Sequence, residues 1–188
     1  MKLSIILLAA GLSLRMGQDK LLMSKSNISL LQSAFNLLDE IDAFEKIVVT
    51  TKSRLEQISL PQNVLAIINE DPKRGQSSSL CLGVSNTTGT HYLFMAADQP
   101  KLTAYDIKQI TETAKNNPDK IIYPRIGGKP SMPSLFPADF RKKLLALTGD
   151  TGGRVIREAY PKLCLEIKPE NPENFIDIDR AEDFNGIS

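Results

Sequence analysis

The stretch "LSIILLAAGLSLRMGQDKLLM" runs from Leu3 to Met23. It opens as an apolar run of strand length, passes through the small residues Ala9, Ala10 and Gly11, and then gathers Ser13, Arg15 and Lys20. Small residues let backbone N–H groups approach a ligand closely, and the hydroxyl and cations supply donors and positive charge. Two known phosphate loops are excluded by spacing. A Walker loop needs four residues between its glycines and then Lys-Ser/Thr, whereas Gly11 and Gly17 enclose five, followed by Gln18, Asp19 and Lys20. A dinucleotide fingerprint needs three glycines, and this stretch has two. The remaining physical readings are a nucleoside triphosphate cradle, with amides for base or phosphates and cations for a departing pyrophosphate, or an ordinary strand-to-helix turn.

Working outward, further apolar runs recur as "KIVVTT" (46–51), "VLAIIN" (64–69), "HYLFMAA" (91–97), "KIIYP" (120–124) and "KLCLEIK" (162–168). Helical spacing lies between most of them. Leu30, Leu31, Ala34, Phe35, Leu37 and Leu38 form one wide apolar stripe, and Leu102, Ile107, Ile110 and Ala114 form another that stops at Asn116-Asn117-Pro118. Strands apolar throughout and alternating with helices predict an α/β fold: a mostly parallel, Rossmann-like sheet covered by helices on both faces. Such sheets take ligands at the carboxyl ends of their strands. At 188 residues the chain is expected to form a single domain, 1–188. The stretch "KPENPENF" reads as a surface loop.

Lys plus Arg number 23 against 22 Asp plus Glu, so no broad field recruits nucleic acid or an acidic membrane surface. The apolar runs are too short to span a membrane, and Lys2 is followed by a strand-like run rather than an export signal, so a cytoplasmic location is expected. Cys81 and Cys164 have no metal-ligand spacing and read as small buried residues; His91 is the single histidine and receives no role.

The carboxylates complete the pattern. Asp98 ends the run "FMAADQP" (94–100), where a parallel strand delivers a side chain into the crevice; the alternative is a turn or helix cap, with Thr103 a further N-cap candidate. In "FIDIDRAEDF" (175–184), Asp177 and Asp179 share a face in extended backbone, and one of them can cap the segment that follows. Mg²⁺ takes oxygen ligands of this kind. The stretch "RGQSSSL" (74–80) reads as a serine-bearing helix start able to meet an anion, and in "LTGDTGGRVI" (147–156) Asp150 is either a ligand contact or a helix N-cap.

The segment "LAAGLSLRMGQDK" resembles the signature L-x-A/G-G-x-S/G-x-R-M-G-x-x-K of nucleotidyltransferases with the GT-A-like fold, and more narrowly the molybdenum cofactor cytidylyltransferases. With "DQP", "RGQSSSL", "GDTGGR" and "DIDRAED", the resemblance covers nearly the whole chain in five ordered blocks. It implies transfer of CMP from CTP to the phosphate of the molybdenum cofactor, with Mg²⁺, and a molybdenum hydroxylase as recipient of the product. The catalytic residues it implies are Arg15, Lys20 and Asp98, and the metal ligands Asp98 and Asp177, with Asp179 the second choice. Nucleotide binding falls to Leu8, Ala9, Ala10, Gly11, Ser13, Arg15, Lys20, Gly75, Gln76, Ser77, Ser78 and Asp98, and acceptor binding to Gly128, Pro130, Asp150, Gly152 and Arg154. Ala10, where guanylyl-transferring relatives carry a second glycine, and the serine run favour cytidine. One block departs: relatives carry Gly-His-Pro, and "GGKPSMPSLFP" (127–137) has Met132 in place of the histidine, which puts the acceptor contacts in question. Activation of a sugar or polyol phosphate, or a chaperone that holds molybdenum cofactor without transfer, are the alternatives.

Overall fold

A computed structural model describes residues 1–11, 19–25, 28–178 and 183. The first strand, β1, is Leu3–Ala9. A short antiparallel ribbon follows, β2 (Ser24–Lys25) with β3 (Ile28–Ser29), and leads into helix α1 (Leu30–Glu40). Next come β4 (Glu45–Thr50), the single turn α2 (Lys52–Leu55), β5 (Leu65–Ile68), α3 (Gln76–Ser85), β6 (His91–Ala96) and α4 (Ala104–Asn116). The remainder is β7 (Ile121–Ile126), β8 (Lys129–Pro130), β9 (Ser134–Pro137), α5 (Arg141–Leu145), α6 (Gly153–Ala159) and β10 (Cys164–Ile167).

The main sheet has the order β10-β7-β9-β6-β1-β4-β5, with β8 attached to β7. Strand β1 lies between β6 and β4 and is parallel to both; β5 is parallel to β4, and β10 to β7. Strand β9 is antiparallel to β6 and to β7. The expected α/β class and mostly parallel sheet are therefore present. Strand β9 is the departure from the sequence reading. It is four residues long and bracketed by Pro133 and Pro137, so it carries no long apolar run and reads locally as a turn.

The physical reason for the layering is written in β1. Leu3, Ile5, Leu7 and Ala9 face one core with Leu31, Phe35 and Leu38 of α1 and Ile107 and Ile110 of α4. Ile6 points the other way, into a core with Leu80 and Val84 of α3, Phe94, Phe136, Leu144 and Ile156. A strand buried on both faces takes apolar residues on both, which is why β1 runs apolar from Ile5 to Ala9 with no alternation; Ser4, also buried, is satisfied by Glu45. Helix starts are locally encoded. Ser29 Oγ accepts from the Gln32 N–H at 3.1 Å to cap α1, and Thr103 and Asp106 form a reciprocal capping box on α4. Phe175, inside the stretch read as a surface loop, is buried and packs under the sheet edge. Among the described residues no helix is long and apolar enough to cross a membrane.

Gly83 marks the closest approach of α3 to the sheet, where an added Cβ would stand 2.4 Å from Ile6 Cγ2. Alanine gains about 1 kcal/mol in helix propensity, but overpacking a close-packed core costs about 1–3 kcal/mol. Ile6 is fully buried and has nowhere to move. Gly83→Ala is therefore expected to lower stability, read as a lower denaturation midpoint at unchanged m-value.

Candidate active site

The parallel register of β1 and β6 pairs Leu8 with Ala96, so the segment after β1 and the residues after β6 leave the sheet at the same edge. At that edge Lys20 Nζ donates to Asp98 Oδ2 at 2.7 Å and to the Ile178 carbonyl at 2.9 Å. The Ile178 N–H donates back to the Asp98 carbonyl at 2.9 Å. Three segments remote in sequence thus meet at Asp98. The capping of α4 is performed by Thr103, which leaves the Asp98 carboxylate to other partners. Its Oδ1 is buried and accepts no hydrogen bond among the described residues. A buried acceptor left in this state costs about 1–3 kcal/mol, and the second buried oxygen of a carboxylate is the ligand type that a hard divalent cation takes. The residues present therefore fit a divalent metal. Asp177, exposed and one residue before Ile178, is carried to the same edge by the backbone. Asp179, like Ser13 and Arg15, lies outside the described residues.

The end of β1 is tightly held. Leu8 is half-buried, Ala9 and Ala10 are buried, and Gly11 is exposed with open space where a side chain would stand. The holding group is Arg54 of α2, which the sequence reading did not single out. Its guanidinium donates to the Ala9 carbonyl at 2.5 Å, to the Gly11 carbonyl at 2.6 Å and to Asp19 Oδ2 at 2.6 Å. A short polar helix gave no local signal for an arginine turned inward.

A second pair of blocks meets beside the first. Gly75, at φ +91°, precedes α3, and an added Cβ there would lie 2.5 Å from the Gly149 carbonyl oxygen. Ser77 Oγ donates to that same carbonyl at 2.7 Å, and the Gln76 N–H donates to Asp150 Oδ1 at 3.3 Å. Gly152 abuts the Gln76 side chain. Asp150 thus meets the first amide of α3, and the N-cap of α6 is Gly152. The next two serines are engaged by the chain that precedes the helix: Ser78 Oγ donates to the Gly75 carbonyl at 2.8 Å, and Asn69 Nδ2 donates to both Ser78 Oγ and Ser79 Oγ at 2.9 Å.

On the opposite flank Gln99, buried, donates from Nε2 to the Met132 carbonyl at 3.2 Å and to the Phe175 carbonyl at 2.9 Å. Met132, which replaces the expected histidine, is thereby tied to the residue next to Asp98 through its backbone. Gln99 was also missed, since a glutamine after an aspartate carries no distinctive pattern. Gly128, with Gly127, forms the two-residue turn between β7 and β8, at φ +79° and +55°. Pro130 is exposed on β8 opposite Arg125. Arg154 is exposed and paired with Glu158 at 2.6 Å on the surface of α6. The arginine of that helix that turns inward is Arg157, which stacks 4.7 Å from the centre of the Tyr123 ring and donates to Ser134 Oγ at 2.8 Å. Burial lowers its proton affinity from the ordinary arginine value. His91 starts β6, at the end of the sheet away from Asp98, and its ring nitrogens meet Thr90 Oγ1 and the Pro118 carbonyl, each at 3.0 Å.

A mostly parallel sheet with a lysine–aspartate pair and an unsatisfied carboxylate oxygen at its carboxyl edge has the crevice in which α/β proteins of this class take their ligands. The chain belongs to the MobA-like NTP transferase domain family, whose model matches residues 5–163. A probable molybdenum cofactor guanylyltransferase from Trichormus variabilis (strain ATCC 29413 / PCC 7937) is 29% identical over 120 residues, 64% of this chain and 57% of that protein. The chain therefore matches little more than half the length of that relative. Among solved structures, Rv0371c from Mycobacterium tuberculosis H37Rv superposes with a TM-score of 0.80 at 18% identity, covering 100% of this chain and 97% of its own. The same protein has been crystallised in complex with manganese (TM-score 0.78, 17% identity, covering 100% of this chain and 98% of its own). A nucleotidyl transferase from Methanothermobacter thermautotroptrophicus reaches a TM-score of 0.79 at 20% identity, covering 99% of this chain and 95% of its own.

Asp98 and Asp150 of the predicted set have unequal surroundings, and their removal should have unequal effects. Asp98→Ala is expected to lower turnover by roughly 10²–10³-fold, the scale on which one transition-state charge contact acts. Asp150→Ala removes a 3.3 Å contact at an exposed edge and is expected to lower turnover less than tenfold. Pyrophosphate release by the two purified variants checks the ranking.

Proposed function

We propose that this chain transfers CMP from CTP to the terminal phosphate of a molybdopterin-type acceptor, releasing pyrophosphate. The observation that carries the transfer reading is the Asp98 carboxylate, with one oxygen on Lys20 and the other buried without a partner among the described residues. Lys20 and Arg15 offer positive charge to the triphosphate, whose pyrophosphate end gains charge as it leaves. An oxygen of the acceptor phosphate attacks the α-phosphorus and forms the new P–O bond. The bond from the α-phosphorus to its bridging oxygen breaks, and pyrophosphate departs with the electron pair. The second ionisation of a phosphate monoester lies near pH 6, so the attacking group needs no general base at neutral pH. The position of His91, at the far end of the sheet from Asp98, agrees with that. A divalent cation held by Asp98 and Asp177 supplies charge neutralisation at the reacting phosphate when bound. The manganese complex of the mycobacterial structural relative supports a divalent cation in this fold.

Cytidine is favoured by Ala10 and by the serines after Gly75. Ala10, buried directly after β1, stands where the guanylyl-transferring relatives that the sequence resembles carry a second glycine, and it is that likeness that favours the pyrimidine. A second reading, GTP as donor, is favoured by the guanylyltransferase name of the relative from Trichormus variabilis.

The test is a screen of the four nucleoside triphosphates with Mg²⁺ and molybdenum cofactor, following pyrophosphate. The expected result is release with CTP, abolished by a chelator. Greater turnover with GTP overturns the cytidine assignment, release only with a sugar or polyol phosphate overturns the acceptor, and nucleotide binding without release overturns transfer. Ala10→Gly is expected to shift the CTP-to-GTP preference towards GTP by about tenfold, the smallest effect normally produced by one methyl group in a pocket.

A further inference from the structure

We infer that Arg54 is the positioning residue of the nucleotide segment: it clamps the chain on both sides of residues 12–18 and thereby seats Lys20 on Asp98. The inference deepens the nucleotidyl-transfer reading and rests on it for its kinetic consequence.

The guanidinium is 3% exposed and has a partner for each of its three nitrogens. Two are the carbonyls of Ala9 and Gly11, before the segment; the third is the carboxylate of Asp19, after it. A planar fork with fixed donor directions can bind both rims at a set separation, which a lysine ammonium cannot. The simpler role, holding the end of β1 to the strand that leads into α2, is already filled. Strands β1 and β4 are in full parallel register from Ser4 to Ala9, and Thr50 Oγ1 donates to the same Ala9 carbonyl at 3.2 Å. What that ladder does not reach is Asp19. Arg54 holds Asp19 by Oδ2, and Asp19 Oδ1 accepts the Leu21 N–H at 3.1 Å, starting the helical turn Lys20–Leu22. Leu21 is buried beneath this turn, and Lys20 projects to Asp98 at 2.7 Å. The path from clamp to site is therefore Arg54, Asp19, the turn, Lys20 and Asp98.

The experiment compares the wild type with Arg54→Met, Arg54→Lys and Asp19→Asn. Asp19→Asn cuts the ion pair without opening a cavity, so it remains informative where an Arg54 variant fails to fold. Thermal melts select folded proteins. On these, acetylation of Lys20 by an amine-reactive reagent is followed by mass spectrometry, and steady-state pyrophosphate release is measured with nucleotide and acceptor varied separately. The expected result is faster Lys20 acetylation together with a nucleotide kcat/KM lowered by up to about a hundredfold in Arg54→Met, with KM raised, the scale that an ångström-sized misplacement can reach. Arg54→Lys and Asp19→Asn should fall between it and the wild type, and the acceptor KM should hold. Unchanged Lys20 acetylation in folded variants overturns the clamp. Faster acetylation with an unchanged nucleotide KM, or a fall in kcat alone, overturns its role in binding. If the wild type releases no pyrophosphate with any nucleotide, the transfer reading fails, and the acetylation rates still decide the clamp.

Discussion

The contact between Lys20 and Asp98 is the point on which the described site turns. It joins the segment after β1 to the segment after β6, and the same ammonium reaches the Ile178 carbonyl, drawing in the chain that carries Asp177. The ion pair itself is modest, because both side chains are partly solvated and a pair of this kind contributes little to stability. Its value lies in arrangement. It satisfies one oxygen of Asp98 and leaves the other buried and available, so the carboxylate is oriented before any ligand arrives. A group held in this way does not have to be reorganised during reaction, which is where electrostatic catalysis gains most.

Around that pair, several buried side-chain donors grip backbone carbonyls. Arg54 holds Ala9 and Gly11, Gln99 holds Met132 and Phe175, and Ser77 holds Gly149. Apart from Ala9, which ends β1, these carbonyls belong to segments outside the main-sheet strands, where no strand ladder pairs the backbone. Loops need such partners when they are drawn inward, since an unpaired buried polar group is costly. The outcome is a rim of irregular chain fixed by few residues. Replacement of a histidine by Met132 fits this scheme, because it is the main chain of that residue that Gln99 engages.

Nucleotidyl transfer suits such a rim. In the proposed reaction the acceptor phosphate would bring its own ionised oxygen, so the protein would be asked for alignment and charge, not for a proton carrier. The two arginines of α6 illustrate how placement decides what a residue can contribute. Arg154, which matches the recognisable motif, lies on the surface with Glu158, while Arg157 turns inward over Tyr123 towards Ser134. A helix rotates successive residues by about 100°, and three positions bring a side chain nearly back to the same face. Sequence spacing constrains these two residues to neighbouring directions but does not say which one meets the sheet.

The sequence by itself determined the class of fold and put Asp98 at the carboxyl edge of the sheet. Strands β1, β4 and β6 each carry a continuous apolar run because both their faces are buried, and that requirement is local enough to be read residue by residue. The caps at Ser29 and Thr103 are equally local. Asp98 was legible because it follows an apolar strand directly. Tertiary structure alone decided the rest. Strand β9 exists because β6 and β7 leave a gap for it, not because its four proline-flanked residues favour extension. Arg54 and Gln99 acquire their roles from carbonyls as much as 76 positions away, and Lys20 meets a carbonyl 158 positions away. Periodicity reports what a residue needs from its immediate neighbours; which distant groups satisfy a buried donor is settled only when the chain has folded.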